Sequence, residues 1–176
     1  MLATRVIESS PGWPCNHGAL REPVFTETLQ IALVVRDLEE SLRTYVEEYG
    51  IGPWEIYEFN PENVSELHPA GCSWRLAVTM VGSVQWELIQ PLDDRSIYAA
   101  WLAAKGEGVH HVAVGGRPYR EELDTIMGKG RRLLQGGVYD GVTFAYLSTD
   151  EDLGVITEIF DWPEGRTQEP DAIYPP

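Results

Sequence analysis

Two stretches of this chain repeat one another. Gln30-Ile31-Ala32-Leu33-Val34-Val35-Arg36, followed by an acidic helical segment, recurs 81 positions later as His111-Val112-Ala113-Val114-Gly115-Gly116-Arg117 and a second such segment. In that register Arg36 falls on Arg117, Glu40 on Glu121 and Leu42 on Leu123. A strand and the helix after it are therefore duplicated in phase, which restricts the chain to architectures built from two related halves. The same register sets Gln30 and His111, both able to bind a metal, at equivalent places on related strands.

The pattern around the repeat fills in each half. Leu29 to Val35 is apolar and β-branched, as expected of a strand with a covered face. Asp37 is a suitable N-cap, Leu38, Leu42, Tyr45, Val46 and Tyr49 recur at helical spacing, and Gly50 ends the helix. Trp54 to Phe59 alternates as a strand, and Asn60 to Gly71 reads as a polar loop. Trp74 to Val81 and Val84 to Gln90 form a hairpin about Gly82-Ser83. Pro91 to Ala104 holds a short helix. Val109 to Gly115, a helix over Tyr119 to Met127, and strands near Arg132 to Gln135, Thr143 to Ser148 and Gly154 to Phe160 then repeat the order. Each half thus reads β-α-β-β-β within an α+β protein. The divisions are an extended, Pro-rich arm over 1–26, a first module with its connecting helix over 27–104, a second module over 105–162, and a surface-draped tail over 163–176.

Composition excludes several roles. With 13 basic and 28 acidic residues the net charge is −15, a field that repels nucleic acid and anionic membrane surfaces. No stretch approaches the roughly 20 apolar residues of a membrane span. The first residues lack the apolar run of a secretory signal, and Cys15 and Cys72 have no paired spacing. A cytoplasmic protein with free thiols is expected. A strongly anionic substrate gains no long-range help from this field, unless Arg36, Arg43, Arg75 and Arg95 cluster into a local basic rim.

Four polar residues interrupt otherwise apolar strands: Gln30, Glu87 in Trp86-Glu87-Leu88-Ile89, His111, and Glu158 in Thr157-Glu158-Ile159-Phe160. An ionised carboxylate in a buried strand costs several kcal/mol unless it is paired or bound to metal. One divalent ion would account for all four. An amide oxygen, two carboxylates and an imidazole suit Zn, Co, Mn, Ni, Fe or Mg and leave water positions open, and open positions go with catalysis rather than structure.

The segments Trp86-Glu87-Leu88-Ile89-Gln90-Pro91-Leu92 and Gly106-Glu107-Gly108-Val109-His110-His111-Val112-Ala113, with Ile51-Gly52-Pro53-Trp54, resemble the vicinal oxygen chelate superfamily of glyoxalases, bleomycin-resistance proteins and dioxygenases, and most of all its methylmalonyl-CoA epimerase-like branch. The resemblance runs from about Leu29 to Asp161. It implies two modules whose curved sheets form an open cleft around one metal held by Gln30, Glu87, His111 and Glu158. It also implies a metal-dependent lyase or isomerase that abstracts a proton next to a carbonyl polarised by the ion. Two departures stand out. The epimerases usually carry histidine where this chain has Gln30, as some glyoxalase I enzymes do not. The non-ligand glutamate that precedes the epimerases' corresponding strand is missing from Pro69-Ala70-Gly71-Cys72-Ser73, which leaves Glu158 and then Glu87 as candidates for proton transfer. Extradiol dioxygenases need two histidines and a carboxylate, and Gln30 removes one of them.

Taken singly, each residue has a plainer reading. His111 alone would be a hydrogen-bonded core histidine, and only the repeat register with Gln30 favours a ligand. Gln30 alone reads as an edge residue, and Glu87 and Glu158 as members of a solvated strand face. His110 should be structural or a support behind the ligands rather than a ligand itself, since adjacent strand residues face opposite ways, and His17 and His68 should be solvated in loops. Trp54, Tyr57, Phe59, Trp74 and Trp86 divide between core and cleft, which makes the substrate small and partly apolar, and an acyl thioester on the strength of the resemblance. Two alternatives remain: a metal-free protein that sequesters a small molecule, as bleomycin-resistance proteins do, and glyoxalase I (lactoylglutathione lyase) activity. A homodimer is the default assembly.

Overall fold

The computed structural model describes residues 23–165 and 167–175. The arm expected over 1–26 therefore lies, up to residue 22, outside the described residues, as do Cys15 and His17.

The first repeat folds as its pattern dictates. Strand β1 (Glu27–Val34) buries alternate residues from Gln30 onward. The Asp37 carboxylate then accepts from the Glu40 N–H at 2.9 Å and starts helix α1 (Leu38–Tyr49), which Gly50 closes in the left-handed conformation at φ 65°. Leu38 and Leu42 bury one face of α1 against Trp54, Ala77 and Leu88 on the convex side of the sheet. Strands β2 (Trp54–Phe59), β3 (Val64–His68), β4 (Trp74–Val81) and β5 (Val84–Pro91) follow. Helix α2 (Ile97–Lys105) begins later than the sequence suggests, because Pro91 still belongs to β5 and Ser96 supplies the cap, accepting from the Ala99 N–H at 3.2 Å. The second repeat supplies β6 (Gly108–Gly115), α3 (Tyr119–Met127), β7 (Leu133–Tyr139), β8 (Val142–Leu147), the single-turn α4 (Asp150–Leu153) and β9 (Ile156–Asp161), and β10 (Ala172–Tyr174) ends the chain.

All ten strands form one curled open sheet, a half-barrel, in the order β10-β2-β4-β5-β1-β6-β9-β8-β7-β3. The two repeats meet at its centre, where β1 and β6 run antiparallel and each has a parallel outer neighbour, β5 and β9. That arrangement has the symmetry the repeat implied.

Two segments depart from the expected elements. The stretch over Asn60 to Gly71, expected as a loop, contains β3, which leaves its own half and pairs with β7 at the far edge of the other. Residues 60–63 alone join β2 to β3, a link that reaches at most roughly 18 Å, whereas eight strand spacings in a flat sheet would separate the two by about 38 Å. The sheet has to curl. Phe59 duly meets Tyr139 of the other half at 4.3 Å between ring centres. The tail, expected as surface-draped, ends in β10, whose Ala172 to Tyr174 pair with β2 from Ile56 to Trp54 and cover an edge that would otherwise present unpaired backbone groups.

The β3–β7 contact depends on Gly137. A Cβ on Gly137 would stand 2.8 Å from Val64 Cγ1 and 3.2 Å from the Ser65 carbonyl. Gly137→Val should therefore cost about 1–3 kcal/mol in urea unfolding and loosen the amides of β3 to hydrogen exchange before those of β1 and β6. Unchanged protection of β3 would contradict this view of how the half-barrel is closed.

Candidate active site

Pairing across the sheet explains how the four polar residues come together. On the concave face Glu87 stands beside Ala32, and Ala32 beside His111. In the adjoining row Gln85 stands beside Gln30, Gln30 beside Ala113 and Ala113 beside Glu158. Two alanines, both fully buried, thus separate the polar positions. Facing positions on paired strands have Cβ atoms about 4.5–5.5 Å apart, so longer side chains can lean over the alanine methyls toward one point.

Three of the four do so. His111 Nε2 lies 3.1 Å from Glu158 Oε2 and 3.3 Å from Glu87 Oε2. All three residues are buried, yet Glu87 Oε2 and His111 Nε2 lack a partner in hydrogen-bond geometry. Gln30 lines the same cleft, and its amide Nε2 donates to Gln85 Oε1 at 2.9 Å, which turns its own carbonyl oxygen free of that bond. The cleft, about 300 Å³ in volume, is lined by Gln30, Glu87 and Glu158 together with aromatic side chains of both halves.

Burial and charge oppose one another here. Burial alone would push His111 down, but the Glu158 and Glu87 carboxylates outweigh it and raise His111 to about 9. Burial raises Glu87, with His111 working against it. The Tyr98 and Tyr146 hydroxyls are held well above the phenol range, first by burial and then by Glu87 and Glu158. As they stand, the donors contact each other. No group of three or more His, Cys, Asp or Glu side chains among the described residues is placed to hold a metal ion outright.

His110 is set in place by an irregularity in the pairing. Ala32 pairs with His111 and Leu33 with Val109, so His110 is the extra residue of a β-bulge. The bulge breaks the alternation that would send neighbouring side chains to opposite faces. His110 is fully buried, 5.2 Å from the Tyr98 ring and 5.1 Å from Trp101, with its Nδ1 only 3.0 Å from His111 Nδ1. Burial above all, then the His111 charge, lowers it to about 2, so it is neutral and has one nitrogen able to accept.

The sequence profile of the Glyoxalase/Bleomycin resistance protein/Dioxygenase superfamily matches residues 29–146, more than half of the chain. The chain belongs to this superfamily. Among its relatives, the uncharacterized protein YqjC of Bacillus subtilis (strain 168) is 33% identical over 95 residues, covering 51% of this chain and 66% of that protein, just under two thirds of its length. A Streptomyces coelicolor methylmalonyl-CoA epimerase variant, solved with 2-nitronate-propionyl-CoA, is 26% identical with a TM-score of 0.58, covering 77% of this chain and 96% of its own. Two more structures share the fold: a hypothetical protein of Bacillus halodurans C-125, at 21% identity and a TM-score of 0.63 over 81% and 98% of the two chains, and the methylmalonyl-CoA epimerase of Mycobacterium tuberculosis, at 20% and 0.58 over 83% and 95%.

Within this superfamily member, other expectations resolve by position. Tyr57, Phe59 and Trp74 line the cleft, while Trp54 and Trp86 pack near α1 on the convex side. His68 is exposed on β3, and Cys72 is a buried free thiol. None of Arg36, Arg43, Arg75 and Arg95 lines the cleft, so they form no basic rim. Arg75 instead bonds Glu39 and Gln90. Tyr146, opposite Glu158 on β8 with its ring 4.8 Å from His111, and Gln85, the partner of Gln30, were not singled out from sequence. Gln85 was findable, since it shares strand parity with Glu87.

His111→Leu would leave two buried carboxylates facing each other. Removing one partner of such a cluster costs about 3–5 kcal/mol, so urea unfolding at pH 7 should show a loss of that order. The loss should shrink as pH falls, because Glu87, already raised by burial, takes up a proton instead of carrying an unpaired charge. A penalty that grows on acidification would be wrong for this arrangement.

Proposed function

We propose that this protein is a divalent-metal-dependent enzyme of the isomerase and lyase type, which removes a proton next to a substrate carbonyl. The observation that carries the reading is the triangle of His111 Nε2, Glu158 Oε2 and Glu87 Oε2, with contacts of 3.1 and 3.3 Å and two of the atoms lacking hydrogen-bond geometry. One divalent ion held by these three side chains would offset both buried carboxylate charges and give the atoms that lack hydrogen bonds a partner. Gln30, through the carbonyl oxygen that its bond to Gln85 leaves over, is the fourth donor. The donor set is mostly hard and suits Zn, Co, Mn, Ni, Fe or Mg. When bound, such an ion would polarise the substrate carbonyl as a Lewis acid and acidify the carbon beside it.

The chain's own residues do the rest. Glu158 is the first candidate to take the proton and Glu87 the second, since both carboxylates line the cleft. Return of the proton to the other face gives epimerisation, and return to a neighbouring carbon gives isomerisation. His110 orients His111: its neutral ring accepts at Nδ1 from the His111 Nδ1–H and so turns the His111 Nε2 lone pair toward the carboxylates. The substrate is a partly apolar carbonyl compound, with acyl thioesters among the classes that the epimerase neighbours suggest.

A second reading, metal-free binding of a small molecule, has one observation in its favour. His111, raised to about 9, is protonated at pH 7 and offsets part of the carboxylate charge without an ion. Titration calorimetry with Zn²⁺ and Co²⁺ on chelator-treated protein separates the two. The enzyme reading expects one ion per chain. Because the ion must displace the His111 proton, its affinity should rise about tenfold per pH unit from 7 toward 9 and level off above. No stoichiometric binding, together with no exchange of substrate hydrogen for deuterium on acyl thioesters or on the methylglyoxal–glutathione adduct, would favour the binding protein.

His110→Phe keeps a ring of similar shape without the accepting nitrogen. Loss of such a supporting partner weakens metal binding roughly 10–100-fold, and the unfolding midpoint should change far less. An unchanged metal affinity would remove His110 from the mechanism.

A further inference from the structure

The cleft selects its ligand by ring contacts and by charge, and both point the same way. A continuous rank of aromatic rings leads to the polar cluster. Phe59 and Trp74 are stacked at 5.0 Å and 7° from parallel. Trp74 meets Phe144 edge-on at 6.3 Å, Phe144 meets Tyr146 at 5.9 Å, and Tyr146 meets His111 at 4.8 Å. Phe59 and Trp74 belong to the first half and Phe144 and Tyr146 to the second, so a ligand between the halves touches rings on both sides.

The charged groups of the lining are Glu55, Glu87 and Glu158, and among the described residues no lysine or arginine lines the cleft. Arg75 lies between Trp74 and Leu76, both of which line the cleft, and it therefore points to the other face, where it bonds Glu39 and Gln90. The chain as a whole carries −15. Phosphates brought to such a mouth meet like charge at long range and carboxylates at short range.

We infer that the cleft takes a neutral aromatic carbonyl compound, its ring among Phe59, Trp74 and Phe144 and its acidic C–H toward Glu87 and Glu158, in preference to a coenzyme A thioester. Edge and face contacts with the rank of rings favour a planar ring beyond simple burial. The volume of about 300 Å³ sits at the lower end of small-molecule sites, which run from about 300 to 1,000 Å³, and suits one ring with a short chain. The proposal rests on the cleft being the site of proton abstraction. In that step the C–H bond breaks, its proton passes to a carboxylate, its electron pair moves toward the carbonyl oxygen, and a solvent-derived proton later returns to carbon.

Proton NMR in D₂O on the metal-loaded protein tests this with three probes at equal concentration: phenylacetone, a neutral aromatic ketone; phenylpyruvate, its anionic counterpart; and propionyl-CoA. Saturation transfer reads binding, and loss of the proton signal beside the carbonyl reads chemistry. Phenylacetone should receive the strongest saturation, at its ring protons, and Phe59→Leu and Phe160→Leu, both at residues that line the cleft, should each reduce it at least threefold without lowering the unfolding midpoint in parallel. Propionyl-CoA should receive little and exchange no hydrogen. Stronger saturation of propionyl-CoA, or none of phenylacetone, overturns the ligand class. Preferred binding of phenylacetone with no exchange of any probe upholds the ligand class and removes the proton-abstraction reading instead.

Discussion

The contact of His111 with Glu87 and Glu158 is the constraint to which the rest of the molecule answers. Two carboxylates and an imidazole are buried within 3.1 and 3.3 Å of the same nitrogen, where an uncompensated charge would cost several kcal/mol. Such a cluster persists only if the backbone delivers all three side chains to one place. The antiparallel seam of β1 and β6, with parallel partners on both sides, does this by register. Ala32 and Ala113 keep the ground between them low.

The same seam links architecture to chemistry. A duplicated strand gives two related rows of side chains, but the rows are not equal. One ends in the Gln30–Gln85 amide pair and the other in His111, supported from behind by His110 across a bulge. Curling of the sheet, enforced by the short link from β2 to β3, then folds an aromatic wall from each half over the cluster. The result is a polar floor under aromatic walls, a site able to hold an apolar body and act on a polar end.

Much of this was legible in the residues. The repeat register, the Asp37 cap, the Gly50 stop and the hairpin at Gly82-Ser83 are local signals, and local physics decides them. Gln30, Glu87, His111 and Glu158 stood out because polar residues in apolar strands are costly and demand a reason. What escaped was set by distant partners. Strand β3 has an unremarkable polar sequence and exists because Gly137 lets it approach β7. Strand β10 exists because β2 needed a neighbour. The inward turn of His110 escaped because a bulge, not its own identity, produces it, and Tyr146 escaped because its place comes only from lying across from Glu158. The resemblance to epimerases suggested anionic thioesters, whereas the described lining is aromatic and acidic, and Arg75 bonds Glu39 and Gln90 away from it.

Anomalous diffraction from crystals grown with Co²⁺ tests most directly whether Gln30 joins Glu87, His111 and Glu158 around one ion. One anomalous peak per chain is expected, bounded by the Gln30 carbonyl oxygen, Glu87, His111 Nε2 and Glu158, with the direct contacts of His111 to the carboxylates replaced by contacts to the ion. A cleft with no peak, with His111 still resting on both carboxylates, would contradict it.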